Sequence, residues 1–247
     1  MKAKLFFFVS LIALCASLLY WLTQSPYFRI AEVSIHTADG VFHHANQRNI
    51  YQALLPTLSS SFFNINLQKA EEITKQQQWV QSAQISRVLP NKVMVNITEY
   101  TPKARWIRDN VQAGLITEEG EIFQAQFNEQ LPELDGEEQY LKEMLTSFQV
   151  FQNTLKSLHL SIKRLQYTSR GAWTLVLDNG VEVRLGKNDI HTRLANFTKI
   201  WASELQSQVH NIDYVDMRYK NGAAVGWLNE TTSSENIKNN LISQPNH

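Results

Sequence analysis

The chain has a single cysteine in 247 residues, Cys15, and it stands inside an apolar N-terminal run. No intramolecular disulfide or thiolate metal site can form elsewhere, and dithiol redox chemistry is excluded. Net charge is also lacking, since lysine plus arginine and aspartate plus glutamate each total 23. Without excess positive charge there is nothing to neutralise a phosphate backbone, so nucleic acid is not an expected partner. Glycine is scarce, with nine residues, and only Gly222 and Gly226 lie near each other. A phosphate-cradling loop needs closely spaced glycines, so no nucleotide site is expected. The patterns G-x-S-x-G, H-E-x-x-H and paired cysteines are absent, and with them the common hydrolase and zinc signatures. His43-His44 is an adjacent pair with no third ligand at a suggestive spacing. Glu118, Glu119 and Glu121 surround a glycine turn, as a solvated loop does. No catalytic residue, cofactor or metal is expected.

What the chain does have is apolar and aromatic material, 43% hydrophobic with six Trp and twelve Phe, enough for real cores. Leu5 to Leu22 is an uncharged run of 18 residues, including Leu5, Phe8, Leu11, Leu14, Leu18 and Leu22. That length falls within the span of roughly 17 to 25 residues needed to cross a hydrocarbon core. Its eleven Leu, Ile, Phe and Val residues favour insertion by about 3 to 7 kcal/mol on a helix-centre scale. Lys2 and Lys4 precede the run and Tyr20 and Trp21 close it, as cytoplasmic positive charge and an interfacial aromatic belt would. A cleaved signal peptide would have a shorter apolar region and an A-x-A site, and neither is present. The expected layout is a cytoplasmic tail at 1–4 and a transmembrane helix at 5–22, with the remainder outside the cytoplasm.

Ile30 to Thr37 alternates as a strand. Ala45 to Leu58 carries Ile50, Leu54 and Leu58 at helical spacing. Asn66 is placed to cap a second helix in which Leu67, Ala70, Ile73 and Trp79 share a face. Val80 to Leu89 and Lys92 to Tyr100 alternate around Pro90-Asn91, a hairpin signature. The order strand, helix, helix, strand, strand predicts two helices on one face of a small sheet, with Val93, Val95 and Ile97 toward them and Met94 and Asn96 away. This gives one domain over 27–100.

From residue 101 to 228 the signals are mainly strand and turn. They comprise Arg105 to Ile107, Gly114 to Thr117 and Glu121 to Phe123, and a hairpin on Asp178-Asn179-Gly180, whose Asn-Gly pair suits positive φ. A helix is predicted over Tyr140 to Leu158. Another follows Asn188 or Asp189, with Ile190, Leu194, Phe197, Trp201 and Leu205 forming a core stripe. Tyr214 to Tyr219 and Ala223 to Trp227 flank Lys220-Asn221-Gly222 as a last hairpin. The segment from Asn128 to Gln139 carries little pattern. Residues 229–247 read as a disordered polar tail.

Two strings sharpen the reading. Glu99-Tyr100-Thr101-Pro102-Lys103-Ala104-Arg105-Trp106, following the Pro90-Asn91 turn, resembles the junction between the POTRA module and β domain of the bacterial FtsQ/DivIB cell-division family. Tyr214 to Tyr219 followed by Asn221 to Trp227 resembles the proteobacterial branch of that family. The resemblance implies an α+β protein with one transmembrane helix, a β-α-α-β-β POTRA domain and a strand-rich β domain with two helices. It implies a non-enzymatic divisome scaffold of the inner membrane, periplasmic at the division septum, which binds the FtsB/FtsL complex and works with other divisome proteins such as FtsW and FtsI. Carried over by position, the partner-binding candidates are Tyr219, Gly222, Val225 and Trp227, with Arg218 and Arg170 as charged contacts. Position 221 is Asn where some relatives have Ser.

A terminal sheet edge offers unpaired N–H and C=O groups to which a partner strand can add. From the residues alone, Trp227 equally suits closing the core of its own sheet. The competing functional class is a POTRA-bearing chaperone or assembly factor for exported proteins, though no array of barrel strands follows the second domain. An anchored cell-wall enzyme would need a catalytic cluster, and none is visible.

Overall fold

Alternating β-branched residues at the centre of the first domain set its architecture. A computed structural model describes residues 2–23, 29–58, 62–219 and 222–228, and the chain divides between Tyr100 and Thr101 into two compact units. In the first unit, β1 (Glu32–Thr37), α2 (Gln47–Leu58), α3 (Leu67–Lys75), β2 (Val80–Val88) and β3 (Lys92–Glu99) follow an N-terminal helix α1 (Lys2–Thr23). The sheet order is β1-β3-β2, with β1 parallel and β2 antiparallel to β3. Val93, Val95 and Ile97 of the central strand are buried, while Met94 is half-buried and Asn96 exposed. Ile50 and Leu54 of α2 and Ala70 and Thr74 of α3 are buried as well.

The ends of these elements follow local chemistry. The Asn46 side chain accepts from the N–H groups of Arg48 and Asn49, and Asn66 accepts from Lys69 N, so each satisfies donors that a helix start leaves open. The helical stripe expected to reach Trp79 stops sooner. α3 ends at Lys75, and Trp79 lies in the following turn with φ +70°. Its buried indole stacks on His44 at 4.3 Å between ring centroids. Thr74, whose hydroxyl donates to Ala70 O, takes the buried helix position instead.

α1 holds the apolar N-terminal run. Its described side chains include Phe8, Leu11 and Leu14, all exposed. The side chains of Leu5, Leu18 and Leu22 lie outside the described ones. Counted over described residues alone, no helix is long and apolar enough to cross a membrane.

Among the described residues, the second unit is a nine-stranded sheet covered by two α-helices. Its elements are β4 (Ala104–Arg108), β5 (Val111–Ile116), β6 (Ile122–Phe123), β7 (Glu133–Asp135), α4 (Leu141–Leu155), β8 (Ile162–Tyr167), β9 (Trp173–Leu177), β10 (Glu182–Gly186), α5 (Ile190–Ile200), β11 (Ile212–Asp216) and β12 (Ala224–Trp227). The sheet runs β12-β11-β10-β9-β8-β7-β4-β5-β6. Leu141, Met144, Phe151 and Leu155 of α4 and Leu194 and Phe197 of α5 share one core with the sheet's inward face, including Leu165, Leu175 and Val183. The stripe of α5 continues through a π turn, where Trp201 and Leu205 are buried, so these side chains are core.

Two sequence expectations need correction here. The segment 128–139 is not featureless, because β7 within it lies parallel to both β4 and β8 and joins the two halves of the sheet. Leu134 at its centre is fully buried. In the β9–β10 hairpin only Gly180 takes positive φ, at +90°, and Leu177 N donates to Val181 O. The turn is therefore longer than a two-residue Asn-Gly loop, in which both central residues have φ above zero. Lys220, Asn221 and the tail at 229–247 lie outside the described residues.

Candidate functional site

The terminal strands gain their position from the polarity of β11. It runs parallel to β10, so the chain must reverse after Asp216 to lay β12 antiparallel on its far side. The register pairs Ile212 with Trp227, Tyr214 with Gly226, Val215 with Val225 and Asp216 with Ala224, and Leu228 N donates to Asn211 O at 2.7 Å. Because β12 is last in the sheet, its outer edge faces no other strand among the described residues. A short edge of this kind presents backbone donors and acceptors in strand spacing.

The candidate residues do different things around that edge. Val225 is half-buried and packs on the core, beside fully buried Val215. Trp227, two residues on and therefore on the same side of the strand, is 47% exposed, and Tyr219 is 61% exposed. Trp227 thus does not close the core of its sheet. Gly222 is exposed and has no atom within 4 Å of where a Cβ would stand, so its own fold does not require glycine there. Between Tyr219 and α5 lies an open groove of about 500 Å³, with Arg193, Asn196 and Lys199 on one wall and Met217 and Gly222 on the other.

Arg218 is tied down at its base. Its Nε lies 2.9 Å and 3.0 Å from the two carboxylate oxygens of Asp216, and its own backbone N–H donates to Oδ1. Asp216 is buried. The Arg218 side chain holds the Asp216 carboxyl below the usual carboxylate range, against the opposing effect of burial. Arg193 of α5 donates to Leu185 O at 2.6 Å and to Arg218 O at 3.2 Å, and so fastens the segment leading to Tyr219 onto the end of β10. Arg170 is exposed in the turn between β8 and β9. β9 begins at Trp173 opposite Gly186, the last residue of β10. Arg170 and Arg218 therefore lie at the same end of the sheet, separated by the end of β10.

One residue at the edge escaped sequence reasoning. Gly226 lies against the ring of Tyr214, so close that an added Cβ would stand 2.5 Å from Cδ1 and 2.6 Å from Cζ. The same ring carries the Arg184 guanidinium 3.9 Å from its centroid. An aromatic laid over a cross-strand glycine covers the backbone that glycine leaves bare. Only the register reveals the pair, because the two residues are 12 apart in the chain.

Residues of the Glu99 to Trp106 string fasten loops within each unit. Glu99 accepts from the backbone N–H groups of His43, His44 and Ala45, holding the loop that leads into α2. His43 in turn contacts Asp39 at 2.8 Å, which holds the Asp39 carboxyl down to about 2. Arg105 donates to Phe127 O and Glu129 O, and Trp106 Nε1 donates to Gly136 O. These bonds pin both ends of the segment that contains β7.

Residues 28–100 match the family described as POTRA domain, FtsQ-type. Residues 104–218 match the family described as Cell division protein FtsQ/DivIB, C-terminal. The chain is 31% identical over 232 residues to the Cell division protein FtsQ of Burkholderia pseudomallei (strain K96243), covering 91% of this chain and 90% of that one. The chain belongs to the FtsQ/DivIB family. Other FtsQ relatives are those of Neisseria meningitidis serogroup B, 31% identical over 88% of this chain and 90% of the relative, and Neisseria gonorrhoeae, 32% identical over 86% and 85%. Within this FtsQ/DivIB chain the C-terminal family match includes Arg170 and Arg218 and stops short of Tyr219, Gly222, Val225 and Trp227.

Proposed function

We propose that this FtsQ/DivIB chain is a non-enzymatic scaffold of the division site, and that it holds the FtsB/FtsL complex by accepting a strand on the outer edge of β12. Membership of a cell-division family supports the setting. The observation that supports the mechanism is a strand edge that no other described strand pairs, with exposed Trp227 on it and exposed Tyr219 in the segment before it. Five or so backbone hydrogen bonds at about 0.5 to 1.5 kcal/mol net each give only a few kcal/mol before association entropy is charged. Aromatic anchors must supply the remainder, and Tyr and Trp are enriched where truncation costs about 2 kcal/mol or more. Arg218 and Arg170 stand at the end of the sheet where β12 begins, placed to meet acidic groups of the same partner.

In this reading the uncharged run from Leu5 to Leu22 anchors the chain in the inner membrane, with residues 1–4 cytoplasmic and both folded units periplasmic. The run's length and its lysine and aromatic flanks support the anchor. FtsW and FtsI are further divisome partners in this scheme, and no substrate is turned over. The test is capture of an FtsB/FtsL periplasmic complex by wild type, Tyr219→Ala and Trp227→Ala, with circular dichroism to confirm folding. Folded variants should bind about 30-fold or more weakly. Wild-type binding by both folded variants would move the docking site elsewhere.

A further inference from the structure

The end of the first unit from which β1 starts carries an unusual surface. Ala31 N donates to Asn91 O at 2.9 Å, so the turn between β2 and β3 lies beside the segment entering β1. Leu89 in that turn is 71% exposed, more than any other large apolar side chain described outside α1. Two residues before it, Arg87 donates to Phe62 O and Ile65 O, which brings exposed Phe63 to the same end. α2 runs back toward this end from the loop after β1, and Leu55 near its close is also exposed. Arg29 precedes β1, Arg87 lies at the close of β2 and Lys92 opens β3, all at this end; among the described residues Lys92 pairs with Glu32 at 2.8 Å. Cations around apolar side chains match a lipid headgroup layer, where phosphates meet the basic groups and the apolar groups reach the acyl boundary.

The chain itself supplies the proximity. The nine steps from Thr23, where α1 ends, to Glu32, where β1 starts, reach at most about 30 Å. β1 then runs away from this end, so Val41 at the opposite end lies about 17 Å farther along the strand. We infer that the end of the first unit bearing Leu89, Phe63 and Leu55 among Arg29, Arg87 and Lys92 rests in the headgroup layer of the membrane that holds α1. The inference rests on the anchoring given under Proposed function. It fixes the height of the POTRA module above the bilayer.

The experiment uses the full chain in vesicles of phosphatidylethanolamine and phosphatidylglycerol, with nitroxide-bearing lipid as quencher. Single cysteines in a Cys15→Ser background, at Leu89→Cys, Phe63→Cys or Val41→Cys, carry an environment-sensitive fluorophore. The wild-type chain labelled at Cys15 reports on the anchor. The expected result is quenching at Cys15, at position 89 and at position 63, several-fold stronger than at position 41. Quenching at Cys15 with equal signals at 89, 63 and 41 would overturn the inference and leave the anchor standing. No quenching at Cys15 would remove the anchor and the inference with it.

Discussion

Replacing Gly226 with alanine adds one carbon to the strand edge, yet the structure gives that carbon no room. It would stand 2.5 Å from Tyr214 Cδ1. The ring has no slack toward β10, where Arg184 lies 3.9 Å from its centroid. Either the ring swings out and loses Arg184, or β12 lifts off β11. Overpacking of this kind costs about 1 to 3 kcal/mol. β12 is four residues long, so the cost falls on local pairing and not on the core of the unit. About 2 kcal/mol is roughly a 30-fold rise in local opening. Hydrogen exchange of the Leu228 amide, bonded to Asn211 O at 2.7 Å, should speed up by about that factor. Capture of FtsB/FtsL should weaken while thermal unfolding of the unit stays close to wild type. Adding Tyr214→Ala removes the ring and should return part of the exchange protection. The reasoning fails if Gly226→Ala leaves both exchange and capture unchanged, or if the double variant is worse than the single one.

The Asp216–Arg218 pair makes a pH prediction with a definite sign. The folded carboxyl is held below its usual value of 3.8, so its contribution to stability is present above that value and is lost as pH falls through the lower folded pKa. Burial raises the Asp135 carboxyl, which acts with the opposite sign over a similar range. The readout is therefore the difference between wild type and Asp216→Asn in unfolding midpoint from pH 6 to 2.5, which should shrink below about pH 4; a constant difference would refute the assignment. Leu134→Ala should destabilise the second unit by about 2 to 5 kcal/mol, as for any fully buried leucine. A denaturant midpoint within error of wild type would show that β7 does not join the sheet halves in solution.

Much of the fold was legible because its signals are local. Val93, Val95 and Ile97 alternate at the period of a strand, and Leu194, Phe197 and Trp201 recur at the period of a helix. Each pattern says which side is buried without reference to any other segment. Reading failed where burial came from distant partners. β7 has three residues, too few for a period to show, and it is a strand because β4 and β8 flank it on both sides. Trp79 looked like the end of a helical stripe, but it stacks on His44, which lies 35 residues earlier.

The candidate site divides along the same line. Its aromatic residues and their hairpin are visible in the string from Tyr214 to Trp227, since residue type and spacing are properties of the chain. That β12 is the edge of the sheet is not, because edge position depends on the pairing of nine strands drawn from the whole second unit. Nor could the sequence say that Val225 turns onto the core while Trp227 stays exposed, or that Asp216 holds Arg218. The closeness of Gly226 to Tyr214 likewise exists only once the register is set. Periodicity within a segment is written by neighbours in the chain, whereas register, edge and burial are set by long-range pairing.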